Sequence, residues 1–290
     1  MAVFVDRDTR VIIQGITGTQ GNYHAKKMLE YGARLVGGVT PGKGGQVVED
    51  VPVFDTVAEA REAVGAQASM ILVPPAFVYD AGVEAIEAGL ETVVIITEHV
   101  PVQDAMRLAG LARRRGVRLV GPNTIGVISP GLSKVGIMPG YIYSRGSVGI
   151  VSRSGTLTHE ISSNLTFRGI GQSTCVGIGG DPIVGTTFTD VLAAFRDDPE
   201  TKVVVMVGEI GGAAEERAAA YIKETAYPKP VIAFIAGQTA PPEKRMGHAG
   251  AIVQGSSGTA ASKVKALTEA GVIVSPTLDG VLEEVKKRLA

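Results

Sequence analysis

The sequence predicts an α/β protein built from two doubly wound parallel-sheet domains. Short β-branched apolar runs alternate with amphipathic stretches, the alternation stops once and restarts, and 290 residues suffice for two separate cores. Apolar runs separated by helices indicate strands that are buried on both faces and joined by right-handed crossovers. We place the first domain at 1–122, a connecting segment rich in Gly, Pro and Ser at 123–146, and the second domain at 147–290.

Five strands and four helices are predicted in the first domain. The strands are runs dominated by Val, Ile and Leu, and the stretches between them carry apolar residues at helical spacing. The predicted strands are 11–13, 34–36, 70–73, 93–96 and 117–120, and the predicted helices are 22–31, 57–64, 78–88 and 101–115.

The same alternation predicts five strands and five helices in the second domain. The architecture is repeated, but the two halves show no sequence repeat. The predicted strands are 148–151, 174–176, 203–207, 231–235 and 272–274, and the predicted helices are 156–168, 189–195, 213–225, 259–270 and 278–289.

Composition excludes several classes of function. The formal net charge is −1, so no general field attracts the chain to nucleic acid or to anionic membranes. No segment approaches the ~20 uninterrupted apolar residues of a membrane span, and charged residues interrupt the N-terminus, which speaks against a signal peptide. The single cysteine, Cys175, excludes an internal disulfide and favours the reducing cytoplasm.

A glycine-rich loop at 14–21 follows the first predicted strand and leads into the first predicted helix. Glycines let the backbone approach a phosphate, and the helix N-terminus offers N–H groups without partners. The dinucleotide pattern Gly-x-Gly-x-x-Gly is broken at Ile16-Thr17, and no acid follows the second strand at 37–40. NAD is therefore disfavoured, and a loop used only for packing or another phosphate-bearing ligand remain open.

The segment 37–43 matches Gly-x4-Gly-Lys, but the next residue is Gly44 and not Ser or Thr. The hydroxyl that holds Mg²⁺ in nucleoside triphosphatases is thus absent, and Pro41 removes an N–H donor. Lys43 still suits a phosphate as a point charge. A solvated loop lysine is the alternative.

Two further residues lie at positions of the second domain where ligands are expected to bind. Ser154 begins a predicted helix directly after a strand, which indicates either an ordinary N-cap or a second anion site. Glu209 ends a very apolar strand, where an acid faces the crevice of an open sheet. It could accept an N–H from a histidine, or it could be only an acid near the start of the next helix.

His248 lies between glycines in the loop 247–251, after the run 241–245 of prolines and charged residues. Neither a helix nor a strand favours such a stretch, so the sequence predicts a loop that presents one nucleophile. An ordinary loop histidine is the alternative that this segment alone leaves open.

Together these segments resemble the α-subunit family of succinyl-CoA synthetase (succinate–CoA ligase) from about Phe4 to the C-terminus. The resemblance implies a Rossmann-like CoA-binding domain followed by a flavodoxin-like ligase domain. It is carried by eight ordered motifs, GITGTQG, GGVTPGKGG, ITE, GPN, IVSRSGTLT, STCVGIGGDP, GEIGG and KRMGHAGAI.

The resemblance also implies roles for individual residues. His248 would be the phosphorylated histidine and Glu209 the acid that hydrogen-bonds it, while Ser154 and Gly155 would bind the phosphate at a helix N-terminus. The implied coenzyme A contacts are Thr17, Gly18, Thr19, Gln20, Lys43, Ile96, Thr97 and Glu98.

The implied reaction interconverts succinyl-CoA, phosphate and a nucleoside diphosphate with succinate, CoA and a triphosphate, as in the tricarboxylic acid cycle. An ATP-grasp β subunit would bind ADP or GDP with Mg²⁺, and the assembly would be a heterodimer or heterotetramer. This chain itself is expected to hold no metal.

Two positions depart from the family pattern. His159 stands where the family often has Tyr, and Thr124 stands where it often has Cys. Both are expected near the acid substrate, and His159 would contact it together with the partner subunit. A malate–CoA ligase subunit therefore stays an alternative, as does a non-catalytic CoA-binding sensor.

Overall fold

Two seven-stranded sheets form the frame of the chain in a computed structural model that describes residues 3–239, 247–253 and 258–290. The elements of the first sheet alternate as the sequence predicts. They are β1 (Val11–Gln14), α1 (Thr19–Tyr31), β2 (Leu35–Val39), β3 (Val47–Val48), β4 (Val51–Phe54), α2 (Val57–Val64), β5 (Ala68–Ile71), α3 (Val78–Glu87), β6 (Thr92–Ile95), α4 (Val102–Arg115) and β7 (Arg118–Val120).

The first sheet has the order β3-β4-β2-β1-β5-β6-β7. All neighbouring strands pair in parallel except β3, which is antiparallel to β4 at the edge. Without β3, the six parallel strands follow the order 3-2-1-4-5-6 of a Rossmann-like domain. The predicted fold of this half is confirmed, although the short strands β3 and β4 were not predicted.

The elements of the second sheet again alternate. They are β8 (Gly126–Ser129), β9 (Ser133–Gly136), β10 (Arg145–Ser152), α5 (Gly155–Phe167), β11 (Gln172–Gly177), α6 (Phe188–Asp197), β12 (Val203–Glu209), α7 (Ala214–Glu224), β13 (Val231–Ala236), α8 (Ala260–Glu269), β14 (Ile273–Val274) and α9 (Leu278–Leu289).

The second sheet has the order β14-β13-β12-β10-β11-β8-β9. Its parallel part, β11-β10-β12-β13-β14, is the flavodoxin-like order 2-1-3-4-5. Here too the predicted fold is confirmed.

The segment 123–146 is not the unpatterned connection that its composition suggested. It contains the antiparallel hairpin β8–β9, and β8 pairs with β11 to extend the second sheet. Each strand has only four residues with glycine at one end, so neither displays a period that a sequence pattern could reveal.

The two sheets share one apolar core. The same cluster of buried residues includes Ile13 and Val120 of the first sheet and Val151 and Val176 of the second. Hydrogen bonds reinforce the junction, since Thr186 Oγ1 donates to the carbonyl of Leu119 at 2.7 Å. The two sheets are thus joined by a shared apolar cluster and by a direct hydrogen bond.

The glycine-rich loop after β1 and the serine-containing loop after β10 each lie at a point where the strand order reverses. β1 pairs with β2 on one side and β5 on the other, and β10 pairs with β11 on one side and β12 on the other. Open α/β sheets bind ligands beyond the carboxyl ends of their strands at such points. Helices α1 and α5 begin there, which places two helix N-termini at the expected ligand positions.

Within the described residues, the structure has no helix with the length and apolar character needed to cross a membrane.

Substitution Gly21→Ala should destabilise the fold. A Cβ on Gly21 in α1 would lie 2.1 Å from the carbonyl oxygen of Gly15, a backbone atom of the glycine-rich loop between β1 and α1. We expect a loss of about 1–3 kcal/mol in the free energy of unfolding, measured by chemical denaturation.

Gly110→Ala in α4 is the matched control. Its added Cβ meets only the end of the Arg114 side chain at 3.5 Å, so the greater helix propensity of alanine should stabilise the protein by about 0.5–1 kcal/mol. Equal stability changes for the two variants would contradict the close approach of α1 to the loop.

Candidate active site

A cleft of about 630 Å³ lies between the carboxyl ends of the two sheets. Residues from both halves of the chain line it, including the start of α1, the ends of β5 and β6, and the first turns of α5. The lining residues are Gln20, His24, Leu72, Ile96, Thr97, Glu98, Asn123, Thr124, Ile125, Ile137, Arg153, Gly155, Thr156, His159, Gly177, Gly179 and His248.

His248, Glu209 and Arg153 form a connected group at this cleft. The Nδ1 atom of His248 is 2.7 Å from Oε2 of Glu209, and Nε of Arg153 is 3.2 Å from Oε1 of the same carboxylate. Glu209 and Arg153 are buried, whereas the side chain of His248 is 27% exposed. A carboxylate only accepts hydrogen bonds, so the neutral imidazole carries its proton on Nδ1.

The hydrogen bond to Glu209 raises the pKa of His248 above its ordinary value. Burial and the charge of Arg153 act in the opposite direction, and Asp181 adds a smaller increase. The dominant cause is thus the same contact that fixes the tautomer. Glu209 is the last residue of β12, so the rigid strand sets the orientation of the imidazole.

The absence of a side chain at Gly180 leaves room for the imidazole of His248. A Cβ on Gly180 would lie 2.4 Å from Cγ of His248, so any larger residue would displace the ring. The carbonyl of Gly180 also accepts the N–H of Gly250 at 3.1 Å. The histidine loop is therefore held against the segment that follows β11.

Helix α5 begins at the cleft with a capped N-terminus. Ser154 is the N-cap, and its side chain accepts the N–H of Leu157 at 3.2 Å. Gly155 and Thr156 line the cleft beside His248. First-turn N–H groups of a helix attract anions, so this helix end has the position and polarity of a phosphate site.

A second cleft of about 750 Å³ lies at the carboxyl end of the first sheet. Thr17 and Gly18 line it, and Thr19 begins α1 as an exposed residue. Leu72 lines both clefts, so the two cavities are neighbours there. The predicted CoA contacts Gln20, Ile96, Thr97 and Glu98 line the cleft that contains His248.

Lys43 is exposed in the turn that follows β2. Thr40, three residues earlier, lines the second cleft, and its carbonyl accepts the N–H of Lys43 at 3.0 Å. Lys43 itself is not among the residues that line this cleft.

His159 lines the cleft from the first turns of α5, on the same side as Gly155. Its Nε2 atom is buried and has no hydrogen-bond partner within the described residues, and its ring meets Tyr143 edge to face at 6.3 Å. Burial lowers the pKa of His159. Its imidazole is thus biased toward the neutral form and can exchange a hydrogen bond with a bound molecule.

The hydroxyl of Thr124 is hydrogen-bonded to the backbone. Oγ1 donates to the carbonyl of Gly177 and accepts the N–H of Gly126 at 2.9 Å. The side chain therefore secures the start of β8 while its residue lines the cleft.

Three residues of the site were not singled out by the sequence patterns. Arg153 contacts Glu209 and donates to the carbonyl of Asp181 at 3.0 Å, and Asn123 Nδ2 donates to Oδ1 of Asp181 at 2.9 Å. All three residues lie in the motifs GPN, IVSRSGTLT and STCVGIGGDP. The position of Arg153 directly after an apolar strand was the one sequence signal that could have indicated a site residue. The run 241–246, which precedes the histidine loop, lies outside the described residues.

Across residues 3–239, 247–253 and 258–290, no group of three or more His, Cys, Asp or Glu side chains is arranged to hold a metal ion.

Family comparisons agree with the two sheets. A CoA binding domain model matches residues 6–99, and a CoA-ligase model matches residues 151–273. A CoA-binding domain followed by a CoA-ligase domain defines a subunit of a CoA ligase.

Relatives of high identity specify the family. Succinate–CoA ligase [ADP-forming] subunit alpha of Staphylococcus epidermidis is 57% identical, with 96% of this chain and 91% of the relative covered. The subunit of the same name from Methanothermobacter thermautotrophicus is 55% identical, with 99% of this chain and 97% of the relative covered. The chain belongs to the succinate–CoA ligase α-subunit family.

A solved structure shares the arrangement of both sheets. ATP citrate lyase from Methanothrix soehngenii, in complex with citrate and coenzyme A, has a TM-score of 0.90 and 25% identity. The match covers 99% of this chain and 50% of that chain, so this chain spans about half of its length.

Glu209→Gln should lower the pKa of His248 toward the ordinary histidine value. The amide can still accept the Nδ1–H, but it removes the negative charge that favours the protonated imidazole. NMR titration of the four histidines measures this change directly. An unchanged His248 pKa would contradict the role of Glu209 in setting it.

Proposed function

We propose that this chain is the α subunit of an enzyme that interconverts succinyl-CoA, phosphate and a nucleoside diphosphate with succinate, CoA and a nucleoside triphosphate. The contact of His248 with Glu209, beside the N-terminus of α5 in a cleft between two domains, is the observation that carries this proposal. The names of the relatives support the acid and favour ADP as the diphosphate.

The first step joins phosphate to the acyl group. A phosphate oxygen attacks the thioester carbonyl of succinyl-CoA, the C–S bond breaks, and CoA leaves as succinyl phosphate forms. The N–H of Gly155 would hold the phosphate beside Ser154, because a helix N-terminus offsets its negative charge. The N–H of Ser154 itself donates to Oγ of Ser152 at 3.0 Å, so Ser154 would contribute through its position at the cap.

His248 then takes the phosphoryl group. Nε2 attacks phosphorus, the P–O bond to the acyl oxygen breaks, and succinate leaves as a carboxylate. Glu209 accepts the Nδ1–H and offsets the positive charge that develops on the ring. The same tautomer that Glu209 selects therefore leaves Nε2 as the nucleophile.

The CoA site would extend across both clefts. The nucleotide end would lie in the glycine-lined cleft at Thr17 and Gly18, with Thr19 at the helix N-terminus. The exposed Lys43 would be a phosphate contact. The pantetheine would pass Gln20 and lie against Ile96, Thr97 and Glu98. This route brings the thiol end into the same cavity as His248.

Domain roles follow from these positions. We propose that residues 1–122 bind CoA and that 147–290 carry the phosphohistidine chemistry. The hairpin β8–β9 would belong to the second unit, because it pairs with β11.

Final transfer of the phosphoryl group would occur on the partner subunit. The family membership implies a β subunit, for which we propose an ATP-grasp fold that binds the nucleotide and Mg²⁺, in an αβ or α2β2 assembly. His159 would contact the acid substrate from this chain, since the residue lines the cleft and its Nε2 has no hydrogen-bond partner among the described residues.

His248→Asn should abolish formation of the phosphoenzyme. The test incubates the copurified complex with γ-labelled ATP and measures acid-labile, base-stable label on this chain. The wild-type complex should be labelled at His248, and His99→Asn, at an exposed histidine, should label normally. Label at His24, His99 or His159 would refute the assignment, and absence of any label would favour a non-catalytic CoA sensor.

Lys43→Ala should weaken CoA binding and spare the labelling of His248. The lysine is exposed, so the loss should be about 1 kcal/mol, or roughly fivefold in the dissociation constant measured by calorimetry. Dephospho-CoA should show a smaller loss if Lys43 contacts the 3′-phosphate. Lys286→Ala, at an exposed lysine on α9, should change nothing, and an unchanged affinity for Lys43→Ala would make this residue a solvated loop lysine.

A further inference from the structure

A buried ion pair contacts the main chain of Glu209 from behind the catalytic group. Lys263 of α8 and Glu215 in the first turn of α7 are both fully buried. The ammonium group donates to Oε2 of Glu215, to Oε2 of Glu216 at 3.0 Å and to the carbonyl of Gly212 at 3.0 Å. All three of its N–H bonds are therefore engaged.

The second oxygen of Glu215 reaches the end of β12. Oε1 accepts the backbone N–H of Glu209 at 3.1 Å, so the carboxylate connects Lys263 to the residue that orients His248. Gly208 makes this approach possible, because a Cβ there would lie 2.6 Å from Cγ of Glu215.

The pair therefore holds the turn after β12 at two points. Lys263 fixes the carbonyl of Gly212 and Glu215 fixes the N–H of Glu209, on either side of the residues that leave the strand. Buried ion pairs are often replaceable by apolar residues without loss of stability, since desolvation offsets their attraction. Stability alone thus gives no reason for two opposite charges at this position.

We propose that Lys263 and Glu215 are a positioning pair that fixes the Glu209 carboxylate for phosphorylation of His248. The proposal rests on the proposed function for the reaction that is affected, while the geometry it invokes is independent of that function. Neither residue touches the reacting atoms. They act by holding the main chain from which the Glu209 side chain extends.

Two double variants separate positioning from stability. E215M/K263M replaces the pair with apolar side chains of similar length and removes the acceptor for the Glu209 N–H. E215Q/K263M also removes both charges but keeps an amide oxygen as that acceptor. Lys134→Met is the control, because Lys134 is another buried lysine whose ammonium donates instead to the carbonyl of Met138.

Single-turnover labelling of the complex by γ-labelled ATP is the first measurement. We expect E215M/K263M to label His248 about 10–100-fold more slowly, the usual scale for small displacements of positioned groups, with unchanged CoA affinity. E215Q/K263M and Lys134→Met should label within a few fold of wild type. A wild-type rate in folded E215M/K263M, or equal slowing in both double variants, would overturn the proposal.

NMR titration of His248 in the unliganded chain is the second measurement. Its charged neighbours Glu209, Arg153 and Asp181 are present in every variant, so a lower His248 pKa in E215M/K263M would report a displaced Glu209. If E215M/K263M fails to fold, Glu215→Asp shortens the reach to the Glu209 N–H while keeping the charges, and should lower the labelling rate and the His248 pKa. Wild-type values there would overturn the proposal.

The two hypotheses fail in different ways. A wild-type complex without label at His248 would refute the proposed function, and the pKa comparison would still test the positioning pair. If the wild-type complex is labelled at His248 and E215M/K263M is labelled at the same rate, only the proposal of the positioning pair is refuted.

Discussion

The buried carboxylate of Glu209 is the constraint on which the rest of the site depends. It is held between Arg153 and His248, and its main chain is held by Glu215. A buried charge is stable only with close partners, so the surrounding residues are fixed by its need for them. One consequence is that the imidazole tautomer, the position of the loop and the end of β12 are determined together.

The shared core gives this group its position relative to the two clefts. Rossmann-like and flavodoxin-like sheets each offer a ligand position beyond the carboxyl ends of their strands. In this chain the two positions face each other, because apolar residues of both sheets pack in one cluster. Residues of both sheets therefore line one cavity that neither sheet could form alone.

Sequence patterns predicted the regular parts of the fold and the ends of the strands that carry the site. Apolar period and strand ends located β1, β10 and β12, and with them the loop at Thr17 and the acid at Glu209. The hairpin β8–β9 was not predicted within the connecting segment, since four-residue strands with terminal glycines have no readable period. The pairing of Arg153 with Glu209 and of Lys263 with Glu215 joins residues more than 45 positions apart, and only the tertiary structure brings them together.

The spacing of His248 from its flanking elements limits how far its imidazole can lie from them in any conformation. His248 lies about 12 residues beyond the end of β13 at Ala236 and about 11 before the N-cap of α8 at Thr259. A chain of that length spans on the order of 40 Å when fully extended. This length is an upper limit on the distance from Ala236 or Thr259 at which the imidazole of His248 could meet another group.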